Sequence, residues 1–568
     1  MTLEDHNNAS DNASDPGGAQ AIQEILSAAG INGRRLRYLL SMLIERPVSF
    51  DTLVRESAVE HRTASSLVNA LGDDLVSMTD GRLQIVHERA DQYRELINHR
   101  QLFSTTPDDP LGRLLDAHSP AIAKLTRLIE KTPASRKSLD HVSATAETAV
   151  RRALWLECTF DLDNARVLCI GDHDLTSVAI AEVNPRTAVT VVDIDDDILG
   201  YIDSMGYASI RCLWFDFRYG LAPSAEGWAD LVFTDPPYTP EGVKLFLGRG
   251  VQGLRNSELA RLVMAYGFSE MHPALGLKVQ RAAASLHLTF DTILPGFNSY
   301  HGAQAVGSRS SIYVLRPTSR TWRAAYTKGK STTNIYTHGS QSIEREPEDV
   351  TPEVETAVTS AAASNERSVR MVGTGWPSKE ATSLKAVLLG QSGSASCVAV
   401  NLISDPGGWL FRLLLAVNAT RLAILVSNNH PAITNEKAQK NLQALVASKY
   451  KLKLCRSTPN SRYAIVEADV IEEGDLDLAE RVVRGILDRA HGKVQNTWRE
   501  SVIRAAGTTD KAVTKNEARE LIEASGVAQE VLASQLLTLP RDAMESLIRL
   551  ITRSVPDGGI HAQSEHKN

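Results

Sequence analysis

Between residues 166 and 238 the chain alternates short apolar runs with aspartates at regular spacing, and this pattern constrains its fold more than any other feature. The runs cover residues 166–170, 189–193 and 231–235. Asp193 follows Gly171 by 22 residues, Asp216 follows Asp193 by 23, and Asp235 follows Asp216 by 19. Each interval has room for a strand, a turn, a helix and a second turn, and continuous apolar runs are typical of buried parallel strands. We therefore predict a Rossmann-like, doubly wound α/β domain over residues 166–317, with a ligand crevice at its strand ends.

Two of these aspartates are candidates for nucleoside binding. Rossmann folds hold ribose hydroxyls with an acid about 20 residues beyond the first loop, and Asp193 occupies that position. Asp216 ends the next strand, where it would face an adenine amino group. Taken singly, each is also open to a purely structural role.

The first loop differs from a dinucleotide-binding loop. It contains one glycine, Gly171, followed by Asp172, His173 and Asp174. Two carboxylates repel a phosphate or the carboxylate of S-adenosylmethionine and attract an ammonium, and one such charge pair at about 4 Å is worth on the order of 4 kcal/mol. The loop therefore favours a nucleoside or a co-substrate that carries amines. The structural alternative is a helix cap at Asp172 and an exposed loop residue at His173.

The second specific motif is Asp235-Pro-Pro-Tyr238. Two prolines fix the backbone and remove two amide donors, so the carboxylate and the ring are held rigidly at a strand end. This type of tetrapeptide occurs in enzymes that alkylate amine nitrogen. Combined with an adenosine-type strand pattern, it indicates an amine-alkylating transferase.

Five segments together resemble the branched-chain polyamine synthases, also called bis(aminopropyl)spermidine synthases. They are Gly171-Asp-His-Asp-Leu-Thr-Ser177, Val192-Asp-Ile-Asp195, Thr234-Asp-Pro-Pro-Tyr-Thr-Pro-Glu-Gly242, Leu245-Phe-Leu-Gly-Arg249 and Phe297-Asn-Ser-Tyr300. The resemblance covers residues 30–317. It implies an N-terminal winged-helix domain, a Rossmann catalytic domain, and transfer of aminopropyl groups from decarboxylated S-adenosylmethionine to spermidine. His173 departs from the family's Gly-Asp-Asp-Asp loop, so the family's acceptor is not assumed.

The resemblance and the motifs together assign roles to individual residues. Asp172, Asp174 and Asp235 would orient the amine and accept its hydrogen, Tyr238 would pack on the acceptor, and His173 would act as a base or point to solvent. The residues assigned to cofactor binding are Gly171, Asp193, Asp195, Asp216 and Pro236. The residues assigned to substrate binding are Asp140 and Glu270, and a solvated helix start is an equal alternative for Asp140. No metal site is predicted.

The remaining chain is predicted to contain several further units. Residues 1–20 form a polar, disordered tail, residues 21–100 a winged helix with a hairpin around Asp80-Gly81, and residues 101–165 a helical connector. Arg62, Thr63, Ser66 and Asn69 would face a DNA groove, but a dimerisation or covering role is favoured because the third helix carries a single arginine. Residues 318–382 are predicted to be a partly disordered linker. Residues 557–568 form a polar tail.

Residues 383–475 are predicted to form a second α/β domain, and residues 476–556 a helical segment. The strands are expected at 385–390, 399–403, 422–426, 452–454 and 463–466. Short matches suggest a degenerate repeat of the catalytic domain: Asp405-Pro parallels Asp235-Pro, and His430-Pro parallels His272-Pro. The match needs a gap, so chance similarity stays open. A repeat of this kind would lack the Pro-Pro-Tyr chemistry.

Composition limits the compartment and the partners. A net charge of −7 on 568 residues fits a surface that handles polyamines and does not suggest a chain dominated by nucleic-acid binding. Five cysteines without paired spacing predict a reduced, cytoplasmic protein with no disulfide framework. No signal peptide or membrane span is predicted, since the longest apolar run, 409–426, contains two arginines. A homo-oligomer is expected.

Three functions are compatible with the sequence. The leading one is an aminopropyltransferase that uses decarboxylated S-adenosylmethionine, acts on a polyamine and releases methylthioadenosine. The second is an S-adenosylmethionine-dependent amino-methyltransferase acting on nucleic acid or protein, with Tyr238 stacked on a flipped base; the acidic first loop argues against it. The third is a non-catalytic winged-helix regulator that keeps a nucleoside or polyamine pocket.

Overall fold

The computed structural model describes residues 18–29, 33–97, 109, 111–255, 259–269, 271–303, 306–326, 334–337, 349–363, 368–378, 380–393, 395–507 and 512–555. It has mixed α/β architecture, as predicted, with sheets of two, five and seven strands in these residues. The winged-helix and Rossmann-like assignments stay predictions. The predicted tail 557–568 lies outside the described residues, as does the tail 1–20 except for Gly18–Gln20, which begin the first helix.

The N-terminal part folds around its own apolar core. Its elements are α1 (Gly18–Ala28), α2 (Arg34–Glu45), α3 (Phe50–Ser57), α4 (His61–Leu71), β1 (Leu75–Ser77), β2 (Leu83–Ile85) and α5 (Ala90–Ile97). The predicted hairpin is present, since β1 pairs with β2 in antiparallel fashion around Asp80-Gly81. Of the four residues expected to face DNA, Arg62, Ser66 and Asn69 are exposed and Thr63 is half-buried. The N-terminus of α4 touches the neighbouring part of the chain, where Glu60 accepts a hydrogen bond from Ser269.

Three helices lead from the N-terminal part to the seven-stranded sheet. They are α6 (Gly112–Ala117), α7 (Ser119–Ile129) and α8 (Ala146–Thr159). Helix α8 begins where the Thr145 hydroxyl accepts a hydrogen bond from the amide of Thr148 at 3.2 Å, an ordinary N-cap.

The seven-stranded sheet, called the large sheet below, has the strand order β5-β4-β3-β6-β7-β9-β8. Its strands are β3 (Arg166–Ile170), β4 (Ala188–Asp193), β5 (Ile210–Trp214), β6 (Leu231–Thr234), β7 (Arg261–Tyr266), β8 (Leu288–Ser299) and β9 (Arg309–Pro317). The helices around it are α9 (Thr176–Val183), α10 (Asp196–Ser204), α11 (Pro240–Gly253), α12 (Pro273–Ser285) and α13 (Thr321–Tyr326). Strands β5 to β7 are parallel, and β9 runs antiparallel to both of its neighbours. The order reverses between β3 and β6, which is where open α/β sheets place their ligand crevice.

The C-terminal half contains a five-stranded sheet, called the small sheet below, of order β10-β11-β12-β14-β13. Its strands are β10 (Val369–Val372), β11 (Cys397–Asn401), β12 (Arg421–Ser427), β13 (Tyr450–Arg456) and β14 (Tyr463–Val470). The helices are α14 (Pro352–Ala362), α15 (Leu384–Leu388), α16 (Trp409–Ala416), α17 (Glu436–Leu445), α18 (Leu478–Leu487), α19 (Val494–Ala506), α20 (Lys515–Ala524), α21 (Gln529–Ala533) and α22 (Arg541–Ser554). Helices α18 to α22 lie in the segment predicted to be helical.

Two predictions for this half were wrong. Residues 385–390 were expected to form a strand, but the Ser383 hydroxyl caps helix α15 by accepting from the amide of Ala386 at 3.2 Å. A short apolar run fits either element, and the cap decides it. Residues 318–382 were expected to be a linker, but α13, α14 and β10 form there. Strand β10 pairs with β11 in parallel. This pairing with a distant segment forms the strand, and the sequence of the four residues alone does not indicate it.

The small sheet has the topology of part of the large sheet. Its order and strand directions, β10-β11-β12-β14-β13, match those of β3-β6-β7-β9-β8. The short motif matches fall at equivalent places: Asp405 follows β11 as Asp235 follows β6, and His430 follows β12 as His272 follows β7. The loop after the first strand contains Gly373 at φ +99°, in the place of Gly171 at φ +72°. This agreement in topology supports the degenerate-repeat interpretation.

Helix α11 packs against the centre of the large sheet, and its last glycine allows the close approach. A Cβ on Gly253 would overlap the side chain of Leu168 in β3, whereas a Cβ on Gly248 in the same helix meets nothing within 4 Å. Gly253→Ala should therefore lower the free energy of unfolding by about 1–3 kcal/mol through overpacking. Gly248→Ala, the matched control, should raise it by about 0.5–1 kcal/mol through helix propensity. Denaturant unfolding measures both changes, and equal effects of the two variants would contradict this account of the packing.

Candidate active site

A cavity of about 850 Å³ opens at the carboxyl ends of β3, β4, β5 and β6. The loops that follow these strands converge on it, because the ends of parallel strands share one edge of the sheet. The aspartates that line it are Asp140, Asp172, Asp174, Asp193, Asp216 and Asp235. All six were singled out from the sequence. Of the twelve predicted site residues, ten line this cavity, Asp195 does not, and Glu270 lies outside the described residues.

Arg152 joins the two motifs that were predicted to carry the chemistry. It projects from α8, its side chain is 0% exposed, and its guanidinium pairs with Asp174 and, at 2.8 Å, with Asp235. It also donates to Asn298 at 2.8 Å and to the Tyr300 hydroxyl at 3.2 Å. Burial alone would lower the pKa of Arg152, but the charges of Asp174, Tyr300 and Asp235 outweigh it and raise the pKa. The arginine is therefore a permanent cation between the two loops.

The two carboxyl groups on Arg152 differ in their acidity. Burial alone would raise the pKa of Asp174, but the guanidinium and the hydroxyl of Thr176 reverse this, and the pKa is lowered. Burial raises the pKa of Asp235 to about 6, although Arg152 opposes the shift. Asp235 also accepts a hydrogen bond from Tyr300 at 2.8 Å. Asp174 is thus a fixed anion, whereas Asp235 changes charge near neutral pH and can take part in proton transfer.

Asp172 accepts a hydrogen bond from the first turn of the helix that follows it. Its carboxylate accepts from the amide of Ser177 at 3.1 and 3.3 Å, near the start of α9. Burial and the nearby charge of Asp174 raise the pKa of Asp172 well above its ordinary value. The N-cap residue of α9 is Leu175, so the helix-cap alternative for Asp172 is wrong in its position, although the carboxylate does bind an amide of the first turn. The side chain also lines the cavity.

His173 is half-buried and stacks on His141, with ring centroids 4.2 Å apart and planes inclined by 21°. Its Nε2 lies 3.0 Å from the Ser135 hydroxyl. The Nδ1 atoms of both histidines are buried without a hydrogen-bond partner in the structure. Burial lowers the pKa of His173 and lowers that of His141 to about 2, so both rings are neutral at physiological pH. The cavity wall therefore has an uncharged imidazole at position 173, the one departure from the Gly-Asp-Asp-Asp loop, and a second uncharged imidazole beside it.

The Asp193 carboxylate accepts the amides of Asp172 at 3.1 Å and Asp195 at 2.9 Å. It is thereby fixed between the ends of β3 and β4, and burial raises its pKa. Asp195 does not line the cavity; it caps α10 by accepting from the amide of Asp197 at 3.1 Å and lies 3.6 Å from Arg136. Gly171 adopts φ +72°, a conformation that favours glycine, where the chain turns from β3 into the loop.

Asp216 is saturated by donors from the protein. It accepts from Arg218 through the backbone amide at 3.0 Å, Nε at 2.9 Å and Nη2 at 2.5 Å, and from the indole of Trp409 at 3.0 Å. A carboxylate offers about four acceptor positions, and all of them are used. The predicted hydrogen bond from an adenine amino group to Asp216 therefore has no free acceptor position in this arrangement.

Tyr238 and Pro236 form one wall of the cavity. The Tyr238 hydroxyl lies 3.3 Å from that of Tyr300, and its ring lies 5.0 Å from the ring of Tyr266. Burial raises the pKa of Tyr238 well above 10, so its hydroxyl is a neutral donor. A rigid aromatic face beside Asp235 suits the packing of an aliphatic amine.

Residues 335–337 close one side of the cavity. Ile335 accepts a hydrogen bond from the Thr239 hydroxyl at 2.7 Å, just after the Asp-Pro-Pro-Tyr segment. Asp140 accepts from the amide of Thr337 at 2.7 Å and from its hydroxyl at 2.6 Å. Asp140 thus lines the cavity, and its carboxylate holds residues 335–337, called the strap below. Glu270, the other residue assigned to the substrate, lies outside the described residues.

Arg152, Tyr300, His141 and the strap were not predicted to be part of the site. One signal for Arg152 existed: it falls between Ala149 and Leu156 on the apolar face of α8, where an unpaired arginine is rare. Tyr300 belonged to a motif already quoted for the family resemblance. Within the described residues, no group of three His, Cys, Asp or Glu side chains is arranged to hold a metal ion.

Comparison with known proteins supports the family resemblance. Residues 121–363 match the family model described as the branched-chain polyamine synthase A C-terminal domain. The resemblance predicted from the sequence is thereby confirmed over this part of the chain. The match also includes residues 334–337, which the sequence analysis had assigned to a linker.

Relatives match this chain over part of their length. An uncharacterised protein of Methanocaldococcus jannaschii is 31% identical over 208 residues, which are 36% of this chain and 52% of that protein. The N(4)-bis(aminopropyl)spermidine synthase of Thermococcus kodakarensis is 30% identical over 193 residues, 33% of this chain and 54% of that enzyme. This chain thus spans about half the length of the curated relatives it matches. A crystal structure of the Thermus thermophilus branched-chain polyamine synthase, in complex with N4-aminopropylspermidine and 5'-methylthioadenosine, aligns with a TM-score of 0.37 and 17% identity over 53% of this chain and 92% of that one.

Removing the guanidinium of Arg152 should strongly lower the free energy of unfolding. Arg152→Met leaves Asp174 and Asp235 without their cation, and breaking a buried ion pair in this way costs about 3–5 kcal/mol of unfolding free energy. The pKa of each acid would then rise in the folded state. The folded protein would bind more protons than the unfolded chain, so its stability should fall as pH rises through that range, and the loss should be larger at pH 8 than at pH 5.5.

The control for this substitution is the adjacent residue. Arg151 pairs with Asp109 and Glu147 and is 21% exposed, so Arg151→Met should cost less than about 1 kcal/mol. Urea unfolding at the two pH values measures both variants. A similar, pH-independent loss in the two would show that the buried acids are not held by Arg152.

Proposed function

We propose that this chain, part of which matches the branched-chain polyamine synthases, is an aminopropyltransferase. It would transfer the aminopropyl group of decarboxylated S-adenosylmethionine to an amine of a polyamine and release methylthioadenosine. The reaction would take place in the cavity at the edge of a Rossmann-like sheet. The winged-helix assignment of residues 21–100, a homo-oligomeric state and a cytoplasmic location belong to the same proposal. Within the described residues no helix has both the length and the apolarity needed to span a bilayer.

One observation carries the proposal: the acidic first loop and the Asp-Pro-Pro-Tyr acid meet on one buried arginine. Asp174 and Asp235 contact the same guanidinium, while both line the cavity. Six aspartates border the cavity in all. Arg152 and Arg218 neutralise part of the charge of these aspartates. The remaining carboxylates attract ammonium groups and repel the carboxylate that distinguishes S-adenosylmethionine from its decarboxylated form. The geometry therefore favours the decarboxylated donor.

The donor would occupy the part of the cavity next to β3 and β4. Asp193 would accept hydrogen bonds from the ribose hydroxyls, because its carboxylate is fixed by two amides and retains free acceptor positions. Gly171 and Pro236 would border the nucleoside with their backbone. This arrangement fits a nucleoside with a cationic side chain and offers no cradle for phosphates.

The reaction is a nucleophilic substitution. The lone pair of the acceptor nitrogen forms a bond to the methylene carbon beside the sulfonium, the bond from that carbon to sulfur breaks, and its electron pair stays on sulfur as a neutral thioether. The nitrogen loses one proton, and Asp235 is the group suited to accept it since its pKa is raised to about 6. Positioning and electrostatic stabilisation account for most of the catalysis in such a step. Tyr238 would pack along the acceptor.

The acceptor need not be the family's. His173 and His141 are neutral, so the first loop carries one charge fewer than a loop of three aspartates. A polycation therefore gains less here than it would from the family loop. An acceptor with fewer ammonium groups than spermidine fits this site at least as well.

The proposal is tested with purified protein, either donor and a panel of amines. With the decarboxylated donor we expect methylthioadenosine and an aminopropylated amine in equal amounts. Asp235→Asn should lower kcat by about 100-fold or more, since proton transfer to a positioned base contributes a factor of that order. Formation of S-adenosylhomocysteine from S-adenosylmethionine would instead support an amino-methyltransferase, and binding without turnover would support a regulator.

The pH dependence of kcat/KM should follow the protonation of Asp235. Its pKa is raised to about 6, so the carboxylate that accepts the amine proton is lost as pH falls through that value. We expect kcat/KM to drop about tenfold per pH unit below about pH 6. Burial also raises the pKa of Asp195 to about 6, so this residue is the control. If Asp235 causes the loss of kcat/KM at low pH, Asp195→Asn should show the same loss as the wild type. A profile that is flat between pH 5 and 8 would remove Asp235 from the proton-transfer role.

A further inference from the structure

Residues 405–412 of the C-terminal half contact the loops on the proposed nucleoside side of the cavity. This segment, called the loop below, runs from the connection after β11 into the first turn of α16 and occupies the place that the Asp-Pro-Pro-Tyr segment has in the large sheet. Its acid, Asp405, faces inward: it accepts the amides of Gly407 at 2.7 Å, Trp409 at 3.0 Å and Leu410 at 2.9 Å, and lies 3.0 Å from Nε2 of His430. The acceptor positions of Asp405, the counterpart of Asp235, are therefore occupied by groups of the C-terminal half itself.

The first contact of this loop is with the acid after β5. The Trp409 indole donates to Oδ2 of Asp216 at 3.0 Å, and its ring lies 5.0 Å from the guanidinium of Arg218. Arg218 occupies the other acceptor positions of the same carboxylate. Trp409 therefore completes the set of donors that fixes how Asp216 faces the cavity.

The second contact is with the start of α10, after β4. Arg412, whose side chain is 0% exposed, donates to both oxygens of Asp196 at 2.6 and 2.7 Å and stacks over Trp214 at 3.6 Å. It also donates to the carbonyls of Leu537 at 3.0 Å and Leu539 at 2.9 Å. The two loops that would hold the base and the ribose are thus both tied to residues 405–412.

We infer that the C-terminal α/β unit is a positioning element of the nucleoside site and that it acts through Trp409 on Asp216. This inference rests on the proposed nucleoside-binding function. All four acceptor positions of Asp216 are filled, so it would not accept a hydrogen bond from the base. Its negative charge, held in place beside the base, would still favour an adenine amino group over a carbonyl at the same position. Without the indole N–H, Oδ2 loses one of the donors that hold the carboxylate in this orientation. Trp409 does not line the cavity, so its effect on the ligand is indirect.

The test is binding of 5'-methylthioadenosine and its hypoxanthine analogue to the full chain by calorimetry. Trp409→Phe keeps the ring and removes the N–H. We expect methylthioadenosine to bind about tenfold more weakly, because the carboxylate beside the base loses a donor that holds it in place. The preference for the adenine over the hypoxanthine base should fall, and in turnover the KM for the donor should rise while kcat stays within about twofold, as expected when only uniform binding is lost.

A matched control comes from the same half of the chain. Trp376 is also buried and donates its indole N–H, at 2.9 Å to the carbonyl of Val372, but it does not line the cavity or touch Asp216. Trp376→Phe should leave nucleoside affinity and base preference unchanged. In an Asp216→Asn background, Trp409→Phe should have little further effect, because both changes act on one contact.

The possible outcomes distinguish a failure of this inference from a failure of the proposed function. If the wild type binds no methylthioadenosine, the proposed function falls and this inference falls with it. If the wild type binds and Trp409→Phe binds equally well or more tightly, or if Trp376→Phe has the same effect, the inference alone is overturned. Should Trp409→Phe fail to fold, Gly408→Ala is the second variant, since its Cβ would lie 2.9 Å from Nε1 of Trp214 and displace the loop. It should weaken binding in the same direction, and unchanged binding would overturn the inference.

Discussion

The pairing of Arg152 with Asp174 and Asp235 is the interaction on which the candidate site depends. It brings together a helix of the connector, the loop after β3 and the loop after β6. Two carboxylates so close to each other in a buried setting would repel, and the permanent charge of the arginine makes their approach favourable. The same cation holds Asp174 ionised while Asp235 titrates near pH 6. One buried side chain thus sets both the shape of the crevice and the distribution of protons within it.

The chain contains two sheets of related topology that are used differently. In the large sheet, the acid after β6 faces a cavity. In the small sheet, the acid after β11 is enclosed by amides and a histidine. The difference follows from the residues after the acid: Pro236 and Pro237 have no amide hydrogen to offer, whereas Gly407 donates its own to Asp405. In the small sheet, amides of the loop itself occupy the acceptor positions of the carboxylate. In the large sheet, the two prolines have no amide hydrogen, so their loop leaves acceptor positions of Asp235 open to other partners.

The sequence was informative where the signal is local. Regular spacing of acids after apolar runs predicted the parallel strands and most of the cavity lining, because the ends of parallel strands share an edge. It was uninformative where the partner is distant in the chain. Arg152 lies 22 residues from Asp174 and 83 from Asp235, and Thr337 reaches Asp140 across 197 residues. Strand β10 contains an arginine and is four residues long, so its identity depends on pairing with β11.

The contacts of Asp196 have a consequence for the whole C-terminal half. This residue begins α10, beside the predicted ribose acid, and it accepts hydrogen bonds from Arg412 and from the amide of Arg541 at the start of α22. Coupling between two sites is reciprocal. If contacts with the C-terminal helices increase the affinity for the nucleoside, a bound nucleoside must stabilise those helices by the same free energy. Occupancy of the cavity should thus slow hydrogen exchange in α16 and α22, which the ligand itself would not touch. Helix α22 would then be stabilised when the donor is bound.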